Sequence, residues 1–182
     1  WKTAIFTPEK YPTELHYMEL AEILTAKKFY KGDMPTAMMQ HAEQWLSENV
    51  YHIDGEGGAA IDDILHVALQ LKQRYGISVF ALDPFNYVDL PMIAGANDTQ
   101  KISDVLKKIV ACAHQQHVFV IVVAHPKKPD DIGKTEKAAS LYDIAGSADF
   151  YNKCDYGIIL NRDKVRDLTL VNVLKIRFRH LG

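Results

Sequence analysis

Residues 118–135 read VFVIVVAHPKKPDDIGKT. The first seven are apolar, with no polar residue among them. A short run of this kind, rich in valine, fits a strand covered on both faces. A strand followed by a loop ending in Gly-Lys-Thr is also half of a phosphate-binding P-loop. The other half is missing. The motif needs a glycine five positions before Gly133, and Lys128 stands there. A P-loop works by aiming successive backbone N–H groups at phosphate oxygens. Pro126 and Pro129 bring no N–H and fix φ near −65°. Asp130 and Asp131 would face a polyanion with like charge, and EKAASLYDIAGSADF, after Thr135, is a weak start for a long helix. Two readings of the lysines stay open. They belong to a solvated loop, or to a basic loop that touches a polyanion.

Runs like the strand recur at Thr3–Thr7, Val50–Ile53, Ser78–Asp83, Tyr156–Asn161 and Leu168–Ile176. Helical patterns lie between the earlier ones. Residues 60–75 place Ile61, Ile64, Leu65, Ala68, Leu71 and Tyr75 on one stripe, with Asp62 and Asp63 in the first turn and Gly76 past the end. Such a helix balances its dipole and stops in a left-handed residue. Residues 99–116 repeat the stripe with Ile102, Val105, Leu106, Ile109, Val110 and Ala113. Residues 13–27 and 35–49 have helical spacing with less regularity. Strands without alternation, separated by helices, imply an α/β fold: a mostly parallel sheet with helices on both faces. Only NRDKVRD separates the last two runs. They are expected as an antiparallel hairpin at the C-terminal edge of the sheet.

The 182 residues read as a single domain with room for a substantial core. Hydrophobic content of 48% and charge of 24% are those of a soluble globular chain. Cys112 and Cys154 stand in no metal-ligand spacing and suit a reducing compartment. The longest apolar run falls far short of a membrane span, and no signal-peptide pattern opens the chain. These features predict a protein that is neither secreted nor membrane-bound. The start at Trp1, already inside a strand pattern, reads as a fragment or a processed piece. Residues 1–120 carry 10 basic and 15 acidic side chains, and residues 121–182 carry 11 and 8. Any polyanion contact is therefore expected in the last third.

In a parallel α/β sheet, ligands bind beyond the carboxyl ends of the strands. The residues there are Glu9, Asp54, Asp83 and His125. VFALDPF is an apolar strand running into Asp83, the form of a strand whose carboxylate holds Mg²⁺; the plainer alternative is an aspartate capping a turn. Glu9, in FTPEK, could activate a water for attack on a phosphoryl group, or simply face solvent. His125, in VVAHP, could donate to a γ-phosphate, or be a packed or capping residue. VLKIRFRHLG brings Lys175, Arg177 and Arg179 at alternate positions, on one face of a strand. That is an exposed basic stripe, or an arginine finger presented to another subunit's phosphates.

The order of these pieces along the chain is the informative part. FTPEK, FALDPF, VVAHPKKP, LYDIAGSADFYNKCDYGIILNRD and VLKIRF follow one another across nearly the whole sequence. This order resembles the RecA-like motor domain of hexameric replicative DNA helicases, of the DnaB, Twinkle-like and phage-type primase–helicase family. The resemblance implies an ATPase that moves on single-stranded DNA, using ATP or another NTP with Mg²⁺. It implies a homo-hexameric ring with a fused or separate primase as a further partner. It also implies a cytoplasmic, nucleoid or phage-encoded replisome setting and no membrane. Glu9 takes the place of the catalytic glutamate, and Asp83 that of the Mg²⁺-holding, nucleotide-site aspartate. His125 takes that of the polar sensor between nucleotide and DNA. Lys127, Lys128 and Lys134 fall in a DNA-facing channel loop. Lys175 and Arg177 match the pair that reaches a neighbouring subunit's ATP, and Arg162 a further phosphate-side arginine.

One departure counts. No G-x-x-x-x-G-K-[ST] occurs in the 182 residues, and the family's P-loop strand and helix precede the point where this chain begins. The expectation is a helicase core truncated on its N-terminal side, inactive alone and active as part of the full-length protein. The alternative is a RecA-like DNA-binding or assembly module without catalysis.

Overall fold

A computed structural model describes the chain at residues 1–29, 32–55, 58–125, 141, 144, 147–163 and 165–178. The elements, in order, are β1 (Thr3–Phe6), α1 (Thr13–Thr25), α2 (Thr36–Asn49), β2 (Val50–Ile53), β3 (Ala59–Ala60), α3 (Ile61–Tyr75), β4 (Val79–Leu82), β5 (Val88–Asp89), α4 (Asp98–Gln116), β6 (Phe119–Val122), α5 (Ser147–Lys153), β7 (Tyr156–Asp163) and β8 (Leu168–Ile176). A 3-10 turn, Phe85–Tyr87, joins β4 to β5. The chain divides into two compact units, Trp1–Asp89 with Cys112–Val123, and Leu90–Ala111 with Ala124–Gly182.

The first unit is built on a parallel sheet of order β2-β1-β4-β6. β1 pairs on one side with β2 and on the other with β4, so that Phe6 stands between Ile53 and Leu82. β4 pairs in turn with β6, Leu82 against Val122. β1, with neighbours on both sides, is covered on both faces, whereas β6, at the end of the order, leaves Phe119 and Ile121 56% and 43% exposed, contrary to the expectation of a strand covered on both faces. Ala4 and Phe6 point to one face and are wholly buried. Ile5 points to the other, into a cluster of Ala21, Ala42, Leu46 and Val50 from α1, α2 and the start of β2. The amphipathic α3 packs on β1 and β2 and buries Ile61, Ile64, Leu65 and Ala68. Phe6, Phe80, Ile64 and Leu82 are among the fully buried side chains, each stabilising the fold by about 1.5–3 kcal/mol. α3 has the expected charges, Asp62 and Asp63 at its start and Lys72 and Arg74 in its last turn. It ends at Gly76, with φ 72° and its N–H bonded to the Lys72 carbonyl at 2.8 Å. A two-residue parallel pair, β3 with β5, was not foreseen; segments that short carry no periodicity.

In the second unit, α4 opens on a reciprocal cap. The Asn97 N–H donates to Gln100 Oε1 at 3.0 Å, and the Gln100 N–H donates to Asn97 Oδ1 at 2.9 Å. The stripe of Ile102, Val105, Leu106 and Ile109 is buried as expected. α5 is tied to α4 by polar side chains. Lys153 donates to Ser103 Oγ at 2.9 Å and pairs with Asp149 one turn before it, and Ser103 donates to Asp149 at 3.3 Å. Phe150 buries the other side of α5.

β7 and β8 form the expected antiparallel hairpin, but as a two-stranded sheet of its own among the described residues. Its ladder pairs β7 with β8 alone. Asp163 closes the turn, accepting the N–H groups of Val165 and Arg166 at 3.0 Å. The register slips once. Gly157 faces Lys175, while the next residue, Ile158, faces Val173, which leaves Leu174 as an extra residue in β8. Leu141 lies over this point, and a Cβ on Gly157 would come within 2.3 Å of its Cδ1. A larger residue there would have to push the end of the Leu141 side chain aside. Among the described residues no helix is long and apolar enough to cross a membrane.

Candidate functional site

A parallel sheet brings its carboxyl ends to one edge, and in the first unit two of the expected carboxylates follow neighbouring ends. Asp83 comes directly after β4. Its N–H donates to the Phe6 carbonyl at 2.9 Å, which fixes it beside the last residue of β1. Its side chain is half-buried, between Leu82 and Pro84, both buried, and the Asp83–Pro84 peptide is cis. Glu9 lies three residues past Phe6, exposed, on a turn closed by the Lys10 N–H to the Thr7 carbonyl at 3.1 Å. Thr7 itself is 7% exposed, and its hydroxyl has no hydrogen-bond partner among the described residues. Asp83 is a carboxylate that could hold a cation. Mg²⁺ takes few protein ligands and keeps water and substrate phosphates as the rest, so one half-buried carboxylate at a strand end suits it. Among the described residues no group of three or more His, Cys, Asp or Glu side chains could hold a metal.

Sequence reasoning missed a histidine pair in the same unit. His52 lies on β2 opposite Ile5, and His16 on α1. Nδ1 of His16 and Nε2 of His52 are 2.8 Å apart, with the rings edge to face at 5.0 Å. The Tyr17 ring lies 4.5 Å from His52, and the Tyr17 hydroxyl donates to the Val50 carbonyl at 3.3 Å. Burial, helped by the His16 charge and opposed by Asp54, lowers the His52 pKa to about 4. His16 is also lowered, by burial first; Glu19 and Asp83 pull it up and Lys10 pulls it down. At neutral pH, then, both rings are uncharged and one N–H is shared between them. Nδ1 of His52 is buried with no partner among the described residues. The signal in the sequence was a histidine beside a tyrosine on two apolar elements, LHY and YHI.

In the second unit Lys175 and Arg177 do lie together, and both reach the end of α5. Lys175 donates to the Tyr151 carbonyl and, at 3.3 Å, to that of Asn152, with its ammonium 4.7 Å above the Tyr151 ring. Arg177 follows β8. Its Nη2 donates to the carbonyls of Asn152 (3.0 Å), Lys153 (3.1 Å) and Cys154 (3.4 Å), and its Nη1 lies 3.0 Å from Asp155 Oδ1. The last carbonyls of a helix lack partners within it and carry the negative end of its dipole. Two cations satisfy them here. Arg177 also lines an open cleft of about 340 Å³ with Lys107 and Lys153. Arg162 is held within the hairpin by an ion pair to Asp167 and a 3.4 Å bond to the Thr169 hydroxyl opposite. His125 is exposed. Lys127, Lys128 and Lys134 lie outside the described residues.

No family model matches the chain. Over 198 aligned residues it is 32% identical to the Twinkle homolog protein, chloroplastic/mitochondrial, of Arabidopsis thaliana. That alignment takes in the whole chain and 27% of the relative, so the chain spans about a quarter of that protein's length. Two solved structures share the fold. One, an ATPase domain, superposes with a TM-score of 0.77 at 16% identity, over 97% of this chain and 67% of that one. A DnaB-like replicative helicase, solved in a study of its interactions with primase, gives 0.75 at 18% identity, over 97% of this chain and 45% of that one.

Proposed function

The chain is a relative of the DnaB- and Twinkle-like replicative-helicase motor domains, with their RecA-like fold, and from that premise we propose that it is part of an NTP-hydrolysing DNA helicase. In the full-length protein, hydrolysis of ATP or another NTP drives translocation along single-stranded DNA. The observation that carries this reading is the pair of carboxylates past neighbouring strands, Asp83 held by the backbone of β1 and Glu9 on the exposed turn beyond it.

Each residue then has a distinct task. Asp83 would hold Mg²⁺, which when bound neutralises charge on the phosphates. Glu9 accepts a proton from the attacking water, as an exposed carboxylate on a turn can do without moving the sheet. His125 senses the nucleotide's terminal phosphate. Lys127, Lys128 and Lys134 hold the DNA backbone through charge, without reading sequence. Lys175 and Arg177 serve the nucleotide of the next subunit in a hexameric ring, with Arg162 as a further phosphate-side cation. A primase, fused or separate, is a partner of the whole protein. The place of work is a compartment that replicates DNA, whether a bacterial or phage replisome or an organelle like the relative's.

The competing reading is a DNA-binding or assembly module without turnover. It is favoured by the engagement of Lys175 and Arg177 on their own chain. One experiment separates the two. In the full-length protein, Asp83→Ala weakens Mg²⁺-nucleotide binding, whereas Glu9→Gln leaves binding within about twofold and removes at least about 10² of the turnover. Wild-type hydrolysis by Glu9→Gln, with nucleotide bound, would overturn the role of Glu9. Absence of any DNA-stimulated hydrolysis in the wild type would leave the module.

A further inference from the structure

An arginine at the end of an exposed strand has many rotamers, and a cation that must meet a phosphate needs few. The surroundings of Arg177 supply that restriction. The Nη2 group is turned onto the carbonyls of Asn152, Lys153 and Cys154, at 3.0, 3.1 and 3.4 Å. Carbonyls alone hold a guanidinium loosely, since each is neutral and three share one nitrogen. Asp155 adds the charged contact, 3.0 Å from Nη1. The backbone joins in, because the Arg177 N–H donates to the Asp155 carbonyl at 2.9 Å. One residue therefore grips Arg177 at both ends, at the main chain and at the head group. Among the described residues nothing bonds Nε. The guanidinium is held along one edge, its side chain remains 37% exposed, and Arg177 lines the cleft shared with Lys107 and Lys153.

We propose that Asp155 is a positioning residue for Arg177, setting the attitude in which its free edge meets an incoming phosphate. The idea rests on the trans role given to Arg177 under the proposed function. The carboxylate does not touch the nucleotide. It acts through the arginine by holding Nη1, while the end of α5 holds Nη2. Lys175 completes the mount by occupying the Tyr151 and Asn152 carbonyls. A carboxylate that merely neutralised the arginine would weaken phosphate binding. One that aims it strengthens the interaction made when charge develops on the transferring phosphoryl group.

The test uses full-length rings with saturating DNA. Asp155→Asn keeps the shape and removes the charge. The expected result is a kcat for ATP lowered about 10- to 100-fold, the cost of a misplaced catalytic group, with KM within about twofold. Asp155→Glu restores at least a third of the loss. Asp155→Asn combined with Arg177→Ala is no slower than Arg177→Ala alone, because two residues acting as a unit are not additive. Thermal unfolding and ring size of each variant show whether it folds and assembles. If Asp155→Asn does not, Asp155→Glu against wild type carries the comparison, with the expected small fall in kcat at constant KM. Two results overturn the proposal: wild-type kcat in Asp155→Asn rings whose Arg177→Ala counterparts are dead, or a kcat that rises, which would make Asp155 a restraint. Full activity of Arg177→Ala rings is a different failure and removes the trans role itself.

Discussion

Asp83 and Arg177 each stand one residue past a strand, β4 in the first unit and β8 in the second. They are fixed by different means. Asp83 is carried by the core: Leu82 before it is 0% exposed, Pro84 after it is fully buried, and its own N–H is bonded to β1. Arg177 has Ile176 and Phe178 as neighbours, 37% and 47% exposed. Its N–H is bonded to the Asp155 carbonyl, but the head group at the end of its long side chain is placed by what it holds, the carbonyls of α5 and the carboxylate of Asp155. A group set by a buried backbone moves only when the core moves. A group set by hydrogen bonds at the tip of a long side chain can be released one bond at a time.

The sharpest way to break this contrast is at the cations. Arg177→Ala in full-length rings should lower ATP turnover by about 10³–10⁵, the usual weight of an arginine finger. Mixing those rings with Glu9→Gln rings, under conditions of subunit exchange, should bring hydrolysis back. About a quarter of randomly formed interfaces then join an intact glutamate to an intact arginine in a head-to-tail ring. ATPase rates of the mixture decide the matter, and no recovery despite co-assembly would place Arg177 in its own subunit.

A smaller effect is expected in the core itself. Phe6→Ala should cost about 3–5 kcal/mol of stability, the range for deleting a buried aromatic side chain. Leu160, 67% exposed on the hairpin, should cost within about 0.5 kcal/mol when changed to alanine. Urea unfolding midpoints compare the two. Equal losses would mean that the hairpin is as deeply committed to the fold as the sheet.

The smallest effect is one of pH. The folded pKa of His52 lies at about 4, below its ordinary value of 6.5. A base kept neutral by folding binds fewer protons than the unfolded chain, so its contribution is fully present above about pH 6.5 and is lost as pH falls toward 4. His16 shifts in the same direction. The midpoint of thermal unfolding should therefore drop between pH 6.5 and 4, and drop less in His52→Gln. Parallel pH profiles for the two proteins would show that the pair is not buried in solution.

The parallel sheet was legible because its strands are apolar on both faces, and runs such as VFAL and FVIV leave few other structures open. The helices with clean stripes, α3 and α4, were legible for the same reason. α5 was not, since SADFYNK has no stripe. It owes its form to the burial of Phe150 on one side, to Ser103 on another and to two cations at its end. Those polar partners lie 23 or more residues away in sequence, beyond any local pattern. Asp83 and Glu9 could be picked out because strand ends are functional in this class of fold. His16 and His52 are 36 residues apart, and only the fold brings them into contact. Arg162, matched by the resemblance to a phosphate-side arginine, is held by Asp167 and Thr169, partners five and seven residues on that its place in NRD alone does not indicate.

The slip at Gly157 has a consequence for the reading frame of the hairpin. Side chains on a strand alternate, so one extra residue inverts their phase beyond it. Lys175 pairs with Gly157 and Val173 with Ile158, and neighbouring residues of β7 face opposite ways. Lys175 therefore points away from the side that Val173 occupies, although the two are only two apart. The insertion works as a parity switch, with the apolar half of β8 in one phase and the cationic half in the other. Straightening the slip while keeping Leu174, so that Leu174 faced Gly157, would leave composition and charge untouched, yet it would put Lys175 and Arg177 in the phase of Val173 and turn them away from α5. In this stretch the register of the chain carries more information than the identity of its residues.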